Sequence, residues 1–185
     1  ASGLQEISNP AGLFLEERSN DASGSVVCAC LEGNRPILVE VQALVAKTPY
    51  GMPRRTAVGF DYNRVTMLLA ILERRLGMDF GAYDAYVNVV GGMRVTEPAA
   101  DLAVAAALVS SYRNRPIPHG VLVMGEVGLT GEVRRIGSPE RRIKDAMNLG
   151  FKRFVLPMGK LSLDEPCNGI VQVKTLEEAL DKVFA

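Results

Sequence analysis

The chain is predicted to fold as an α/β (α+β) domain, and three features of the sequence predict it. Residues 25–31 and 36–46 are apolar, β-branched runs parted by the turn signal Glu32-Gly33-Asn34-Arg35, which is the pattern of a β-hairpin. Residues 63–76 carry Val65, Leu68, Leu69, Leu72 and Leu76 at helical spacing. Further on, helix-start residues at Ser138 and Thr175 alternate with short apolar runs, as in a sheet layered with helices.

The elements follow in order. Residues 1–24 read as a loop-like lead-in, with Asn9-Pro10 and a cluster of small polar residues at 19–25, and residues 25–185 read as the folded domain. The start at Ala1-Ser2-Gly3 has no leader or cap logic, which is expected of a piece of a longer protein. After the hairpin comes a loop at 49–53 and a third strand at 54–60, with Asp61 as N-cap of the helix beyond it. Arg64, Arg74 and Arg75 lie off the apolar stripe of that helix. A strand at 86–90 ends at Gly91-Gly92. Thr96 is placed to cap a helix with Pro98 in its first turn. This helix runs to Ser110 and is apolar almost all round, so it is expected to be central and buried. A strand at 121–124 leads into a turn with glycines at 125, 128 and 131, followed by a strand at 132–136. Ser138 is expected to cap a helix reaching about Asn148 and closed by Gly150. Short strands are expected at 154–157 and 170–173, and Thr175-Leu176-Glu177-Glu178 is a capping-box arrangement opening the last helix.

Composition bounds the function. At 185 residues the chain is most simply one domain, and with 48% hydrophobic residues and no tryptophan its core is expected to be aliphatic. The formal net charge of zero argues against a uniformly basic nucleic-acid binder, but the sum hides a pattern. Residues 54–160 carry 16 basic and 10 acidic side chains, while the segments on either side are each net −3. Fifteen of the 21 basic residues are arginine, and eight of those form the pairs Arg54-Arg55, Arg74-Arg75, Arg134-Arg135 and Arg141-Arg142. A guanidinium suits phosphate or carboxylate, so these pairs fit either a nucleic-acid backbone or ordinary surface and intersubunit ion pairs. Cys28, Cys30 and Cys167 match no zinc-site spacing and are expected to be reduced thiols. No signal peptide and no run of membrane-spanning length is present, so no membrane association and a cytoplasmic location are expected.

Most catalytic chemistry lacks its residues. The one histidine, His119, stands in a Pro-Ile-Pro-His-Gly loop without a nucleophile motif nearby. There is no Gly-x-Ser-x-Gly elbow, no Walker lysine after a glycine loop and no metal-ligand spacing. Glu97 and Asp101 are four apart on one predicted helix, so both can lie on one face. Acid–base or metal work is one reading. The plainer one is that they pair with nearby arginines and pin the helix start.

Two runs carry a resemblance. Thr96-Glu97-Pro98-Ala99-Ala100-Asp101-Leu102-Ala103 and Gly125-Glu126-Val127-Gly128-Leu129-Thr130-Gly131-Glu132 together resemble the proteolytic domain of Lon-type proteases. The resemblance implies the Lon-protease type of ribosomal protein S5 domain 2-like fold. It also puts Ala99 where that family has its nucleophilic serine and Arg142 where it has its catalytic lysine. A methyl group cannot attack a carbonyl, and arginine stays protonated, so the resemblance implies a protease scaffold without its dyad. Asn9-Pro10, Pro53-Arg54-Arg55, Asp61-Tyr62-Asn63-Arg64-Val65 and Val89-Val90-Gly91-Gly92, with the two runs above, resemble the C-terminal domain of the RadA (Sms) family of bacterial DNA-repair proteins. That resemblance spans about residue 3 to the C-terminus. It implies a non-catalytic domain that helps hold double-stranded or branched DNA and a homo-oligomeric, hexameric ring in DNA repair, recombination and stress response. It further implies that ATP, Mg and Zn belong to an ATPase and a zinc finger outside this chain, which holds no cofactor itself. Arg54, Arg55 and Arg64, flanking a loop and a helix start, are the first candidates for phosphate contact, and Arg134, Arg135 and Arg141 the second.

Overall fold

A computed structural model describes residues 17–19 and 21–185. The expectations for residues 1–16 and for Asn20 lie outside the described residues. The predicted hairpin forms as β1 (Ser25–Glu32) and β2 (Arg35–Lys47), antiparallel, with Ser25 opposite Gln42 and Glu32 opposite Arg35. Next come β3 (Arg55–Val58), α1 (Tyr62–Leu76) and β4 (Tyr83–Val89). A single 3-10 turn, Pro98–Ala100, leads into α2 (Asp101–Arg113). The rest of the chain is β5 (Val121–Val123), β6 (Glu126–Val127), β7 (Val133–Arg134), α3 (Pro139–Asn148), β8 (Arg153–Pro157), β9 (Ile170–Val173) and α4 (Leu176–Val183).

Seven strands make one sheet in the order β3-β4-β2-β1-β5-β8-β9, and β6 and β7 pair apart from it as a small ribbon. Four of the six neighbouring pairs are parallel, so this is an α/β domain with a mostly parallel sheet. Residues 25–30 of β1 are buried without alternation. Successive side chains on a strand point to opposite faces, so both faces of β1 are covered. The helix α2 packs across β2, β1 and β4, and α3 meets β1 and β2. Ten consecutive residues of α2, Asp101 to Ser110, are buried, which is what a helix apolar on every side requires. The sheet opens toward β3: Thr56 and Val58 are exposed on that strand, as are Gln42 and Leu44 on β2.

Local signals set several ends as expected. Asp61 caps α1 by accepting the Arg64 N–H at 3.1 Å, and Gly77, at φ 66, closes it in the left-handed region open to glycine. Thr175 caps α4, accepting the Glu178 N–H at 3.2 Å. Others differ. Thr96 caps nothing: Glu97 precedes the 3-10 turn, and its carboxylate is held by tertiary partners. Ser138 stands before α3 at φ 51 and makes no capping bond; the Gly137 carbonyl just ahead of it is taken by the Arg142 Nε. The strand expected at 132–136 shrinks to Val133–Arg134, and α2 runs on to Arg113, where Asn114 closes it at φ 49.

A carboxylate stitches the open end of the sheet. Asp84 on β4 accepts the Arg54 backbone N–H at 2.7 Å and the Thr48 hydroxyl at 3.0 Å, which anchors both ends of the β2–β3 loop. The Arg54 N–H, with help from the Thr48 hydroxyl, holds the Asp84 carboxyl below its ordinary value. A depressed carboxylate stabilises the fold at pH values above its unfolded value, about 3.9, and that contribution fades as the pH falls through the lower folded value. Asp84→Asn should therefore lower the unfolding midpoint at neutral pH and lose less stability than the parent on acidification below about pH 4, read by urea unfolding across a pH series.

Candidate functional site

The residues singled out by the protease-like runs meet at one edge of the sheet, around the entry to α2. Ala99 is buried in the 3-10 turn, and its carbonyl accepts the Gly125 N–H at 2.8 Å. Gly125 in turn accepts the Leu102 N–H at 3.0 Å, so one of the first N–H groups of α2 is satisfied by the strand end beyond β5. The approach is close: a Cβ at Gly125 would lie 2.9 Å from a methyl of Val133.

Arg142 is brought to the same place from the first turn of α3. Its side chain is 1% exposed. Nη1 donates to Glu97 Oε1 at 2.5 Å and to the Ala29 carbonyl at 2.8 Å, Nη2 donates to Glu97 Oε2 at 3.0 Å, and Nε donates to the Gly137 carbonyl at 2.8 Å. Glu97 Oε1 also accepts the Leu31 N–H at 2.7 Å. The pair is bidentate and each guanidinium nitrogen has a partner, the arrangement that offsets the desolvation of a buried charge. Beneath it, Cys28 and Cys30 on β1 are buried with their sulfurs 3.8 Å apart. The Cys30 side chain and then burial push the Cys28 thiol well up, so it is held as a neutral thiol.

A second ion pair sits beside the first. Asp101, the first residue of α2, is fully buried and receives Arg64 through two hydrogen bonds, Nε to Oδ1 at 2.8 Å and Nη2 to Oδ2. Its Oδ2 also accepts the Val127 N–H at 3.1 Å. Burial pushes the Asp101 carboxyl up, while Arg64 and the Val127 N–H act against that. Glu97 and Asp101 thus each hold an arginine and fasten the start of α2, the plainer of the two readings of their spacing. Among the described residues no group of three or more His, Cys, Asp or Glu side chains could hold a metal ion.

The candidate phosphate-binding arginines divide into two kinds. Arg64 is engaged by Asp101, and Arg55 donates to the carbonyls of Phe80 (2.8 Å) and Tyr83, closing the turn before β4. Both act in the fold. Arg54, Arg134, Arg135 and Arg141 are exposed, and among the described residues none of them has a carboxylate within ion-pair distance. Arg134 stands opposite Glu126 in the β6–β7 ribbon, Arg135 passes 3.5 Å from where a Gly159 Cβ would lie, and Arg141 donates to the Asn34 carbonyl in the β1–β2 turn. The six sequence candidates therefore contain two tertiary clasps and four open guanidinium groups. The burial of Arg142 is the feature with no local signal, since an arginine in a first helical turn ordinarily points to solvent.

Removing one partner of a buried pair leaves the other charge uncompensated. Glu97→Ala, which strands the buried Arg142, and Arg64→Ala, which strands the buried Asp101, should each cost about 3–5 kcal/mol of stability, and Arg142→Ala, whose partner Glu97 is only part-buried, about 2–3 kcal/mol. The joint change Glu97→Leu with Arg142→Met should cost far less than the sum of the single changes. Urea unfolding of the four variants checks this; single changes costing under about 0.5 kcal/mol would place the charges in solvent.

Three relatives set the chain among known proteins. It is 48% identical over 184 residues to the DNA repair protein RadA of Halalkalibacterium halodurans, covering 97% of this chain and 40% of the relative. It is 49% identical over 183 residues to the protein of that name from Pseudomonas aeruginosa, covering 98% and 40%, and 48% identical over 180 residues to the one from Bacillus subtilis, covering 96% and 39%. The chain thus spans about two fifths of the length of the curated relatives it matches. Residues 41–160 match the family model described as subunit ChlI of Mg-chelatase, a stretch from the middle of β2 to just beyond β8 that includes both ion pairs and all of α2. With most of its length so matched, the chain belongs to that family.

Proposed function

We propose that this chain is a non-catalytic, Lon-protease-like domain of a bacterial DNA-repair ATPase, contributing duplex-DNA binding and ring assembly for the processing of branched DNA. The observation that carries the reading is the similarity to proteins named DNA repair protein RadA along nearly the whole chain. The ATPase, its ATP and Mg, and a zinc finger belong to parts of such a protein outside this sequence.

The non-catalytic half is supported by what occupies the dyad positions. Ala99 offers no nucleophile, and Arg142 is spent on Glu97 and two carbonyls. Peptidase assays on unfolded casein or fluorogenic peptides should show no cleavage above buffer. Restoring the dyad by Ala99→Ser with Arg142→Lys should also fail, because Glu97 stands ready to hold the introduced ammonium in its charged form, which cannot act as a base. Cleavage by Ala99→Ser alone would overturn the residue matching.

The DNA half is supported by Arg54, Arg134, Arg135 and Arg141, which are exposed without a carboxylate partner among the described residues. No helix presents a base-reading set, so binding to duplex DNA should be weak and indifferent to sequence. Anisotropy titrations should show log affinity falling by about 0.9 per log unit of salt for each phosphate neutralised. Arg134→Ala with Arg135→Ala should flatten that slope by up to about two contacts, and Arg54→Ala by up to one. Arg55 and Arg64 variants are poor probes, since both side chains hold the fold together.

A purely structural reading, an oligomerisation module without DNA contact, draws on one observation. Tyr50 and Met52 in the β2–β3 loop are 93% and 88% exposed, and Leu44 and Val58 on the sheet are exposed as well. Light scattering at tens of micromolar should detect self-association that Tyr50→Ser with Met52→Ser weakens. Self-association without any salt-sensitive DNA binding would favour this structural reading over the first.

A further inference from the structure

The strands β1, β5 and β8 run parallel side by side, so all three begin at the same edge of the sheet, opposite the edge that holds Ala99 and Arg142. At that starting edge lies a cleft of about 400 Å³. Among the described residues its charged and titratable walls are Arg18, His119 and Lys152, and no carboxylate lines it. The remaining walls are Gly120, Leu149, Gly150 and Phe151.

The walls are fixed by the fold. The Gly120 carbonyl accepts the N–H groups of both Lys152 and Arg153 at 3.1 Å, which clamps the loop before β5 to the loop before β8. Phe151 donates its N–H to Ala146 at 3.1 Å and is buried, so the second loop is anchored to α3 as well. Arg18 is held to the start of β1, its Nε donating to the Ser25 hydroxyl and its Nη2 to the Ser25 carbonyl, both at 2.8 Å.

Arg18 is the telling residue. Its side chain is only 5% exposed, yet it lines the cleft. Its one ion-pair partner among the described residues, Glu40, is 4.0 Å away. Glu40 Oε1 is itself occupied by the Ser25 hydroxyl at 2.7 Å and by the Gln42 amide at 3.3 Å. The Arg18 guanidinium charge thus lies at the cleft wall with its carboxylate only at the limit of ion-pair distance. Burial indeed lowers the Arg18 pKa more than Glu40 raises it. An anion entering the cleft would meet that charge together with the Lys152 ammonium and a histidine able to donate a hydrogen bond.

We propose that the cleft between Arg18, His119 and Lys152 is a phosphate-binding site, separate from the Arg54 and Arg134-Arg135 surfaces and able to take either a backbone phosphate of nucleic acid or a free phosphate anion. The single tetrahedral anion suits it better than a carboxylate. The three basic residues line it from three separate segments of chain, and phosphate presents oxygens in several directions.

His119 is the only histidine of the chain, so its imidazole gives a single Hε1 NMR signal. Inorganic phosphate and short duplex DNA are titrated separately into the chain at fixed pH and ionic strength, with chloride as the balancing anion. Phosphate should shift the His119 signal saturably, and Lys152→Ala, an exposed change that leaves the fold intact by circular dichroism, should weaken that binding by about ten-fold. A shift with phosphate and with duplex DNA identifies the backbone as a source; a shift with phosphate alone identifies a free anion, and either supports the site. A signal unmoved by phosphate, or a response unchanged in Lys152→Ala, overturns it. The phosphate titration does not depend on DNA binding by the exposed arginines, so the two readings can fail separately.

Discussion

The architecture around the entry to α2 depends on one buried interaction, the bidentate pair between Arg142 and Glu97. It joins three pieces of chain: β1 through the Ala29 carbonyl and Leu31 N–H, the start of α3 through Arg142 and the Gly137 carbonyl, and the residue before the 3-10 turn, Glu97. Each of these would otherwise leave a buried polar group to satisfy. Among the described residues no buried side-chain nitrogen or oxygen lacks a hydrogen-bond partner. The pair therefore sets how α3 lies on the hairpin and where α2 begins, and it does so more by specifying geometry than by adding net stability, since the Coulomb gain of a buried pair is largely cancelled by desolvation.

Arg64 and Asp101 repeat the device a few residues away. Between them the two pairs replace ordinary helix capping at α2. The turn Pro98–Ala100 makes no side-chain cap, and the N–H groups and carboxylates at the helix start find partners on β1, beyond β5 and on β6. A helix whose first ten residues are all buried cannot rely on water to satisfy its end, so partners had to come from the surrounding strands. The consequence for chemistry is direct. The entry to α2 holds the methyl group of Ala99 and two charge clasps, with the Cys28 and Cys30 thiols, neutral at Cys28, packed beneath.

The same accounting sorts the arginines. Arg55, Arg64 and Arg142 complete the hydrogen bonding of the fold, while Arg54, Arg134, Arg135 and Arg141 extend from it. Adjacent arginines in the sequence have opposite fates, as with Arg54 and Arg55 or Arg141 and Arg142, because neighbouring residues on a strand or a helix face different directions. A count of basic residues therefore overstates the charge available to a partner.

The sequence by itself determined the elements whose signals are local. The β1–β2 hairpin follows from its apolar runs and its glycine turn, α1 and α4 from their periodicity and their Asp61 and Thr175 caps, and the burial of α2 from a helix with no polar face. It also determined that residues 99 and 142 carry neither a nucleophile nor a base. Tertiary structure decided what no window of residues contains. Thr96 and Ser138 have the right side chains to cap but do not, because Glu97 is drawn to Leu31 and Arg142, and Gly137 to Arg142. The strand expected at 132–136 is cut to two residues because it has only a two-residue partner in β6. Arg142, fit for solvent by type and position, is buried because a carboxylate forty-five residues away and a strand over a hundred residues away supply its partners. Such partners are matched in space by sheet order, and the physical reason they escape sequence reading is that a long-range ion pair leaves no period, turn or spacing in the chain.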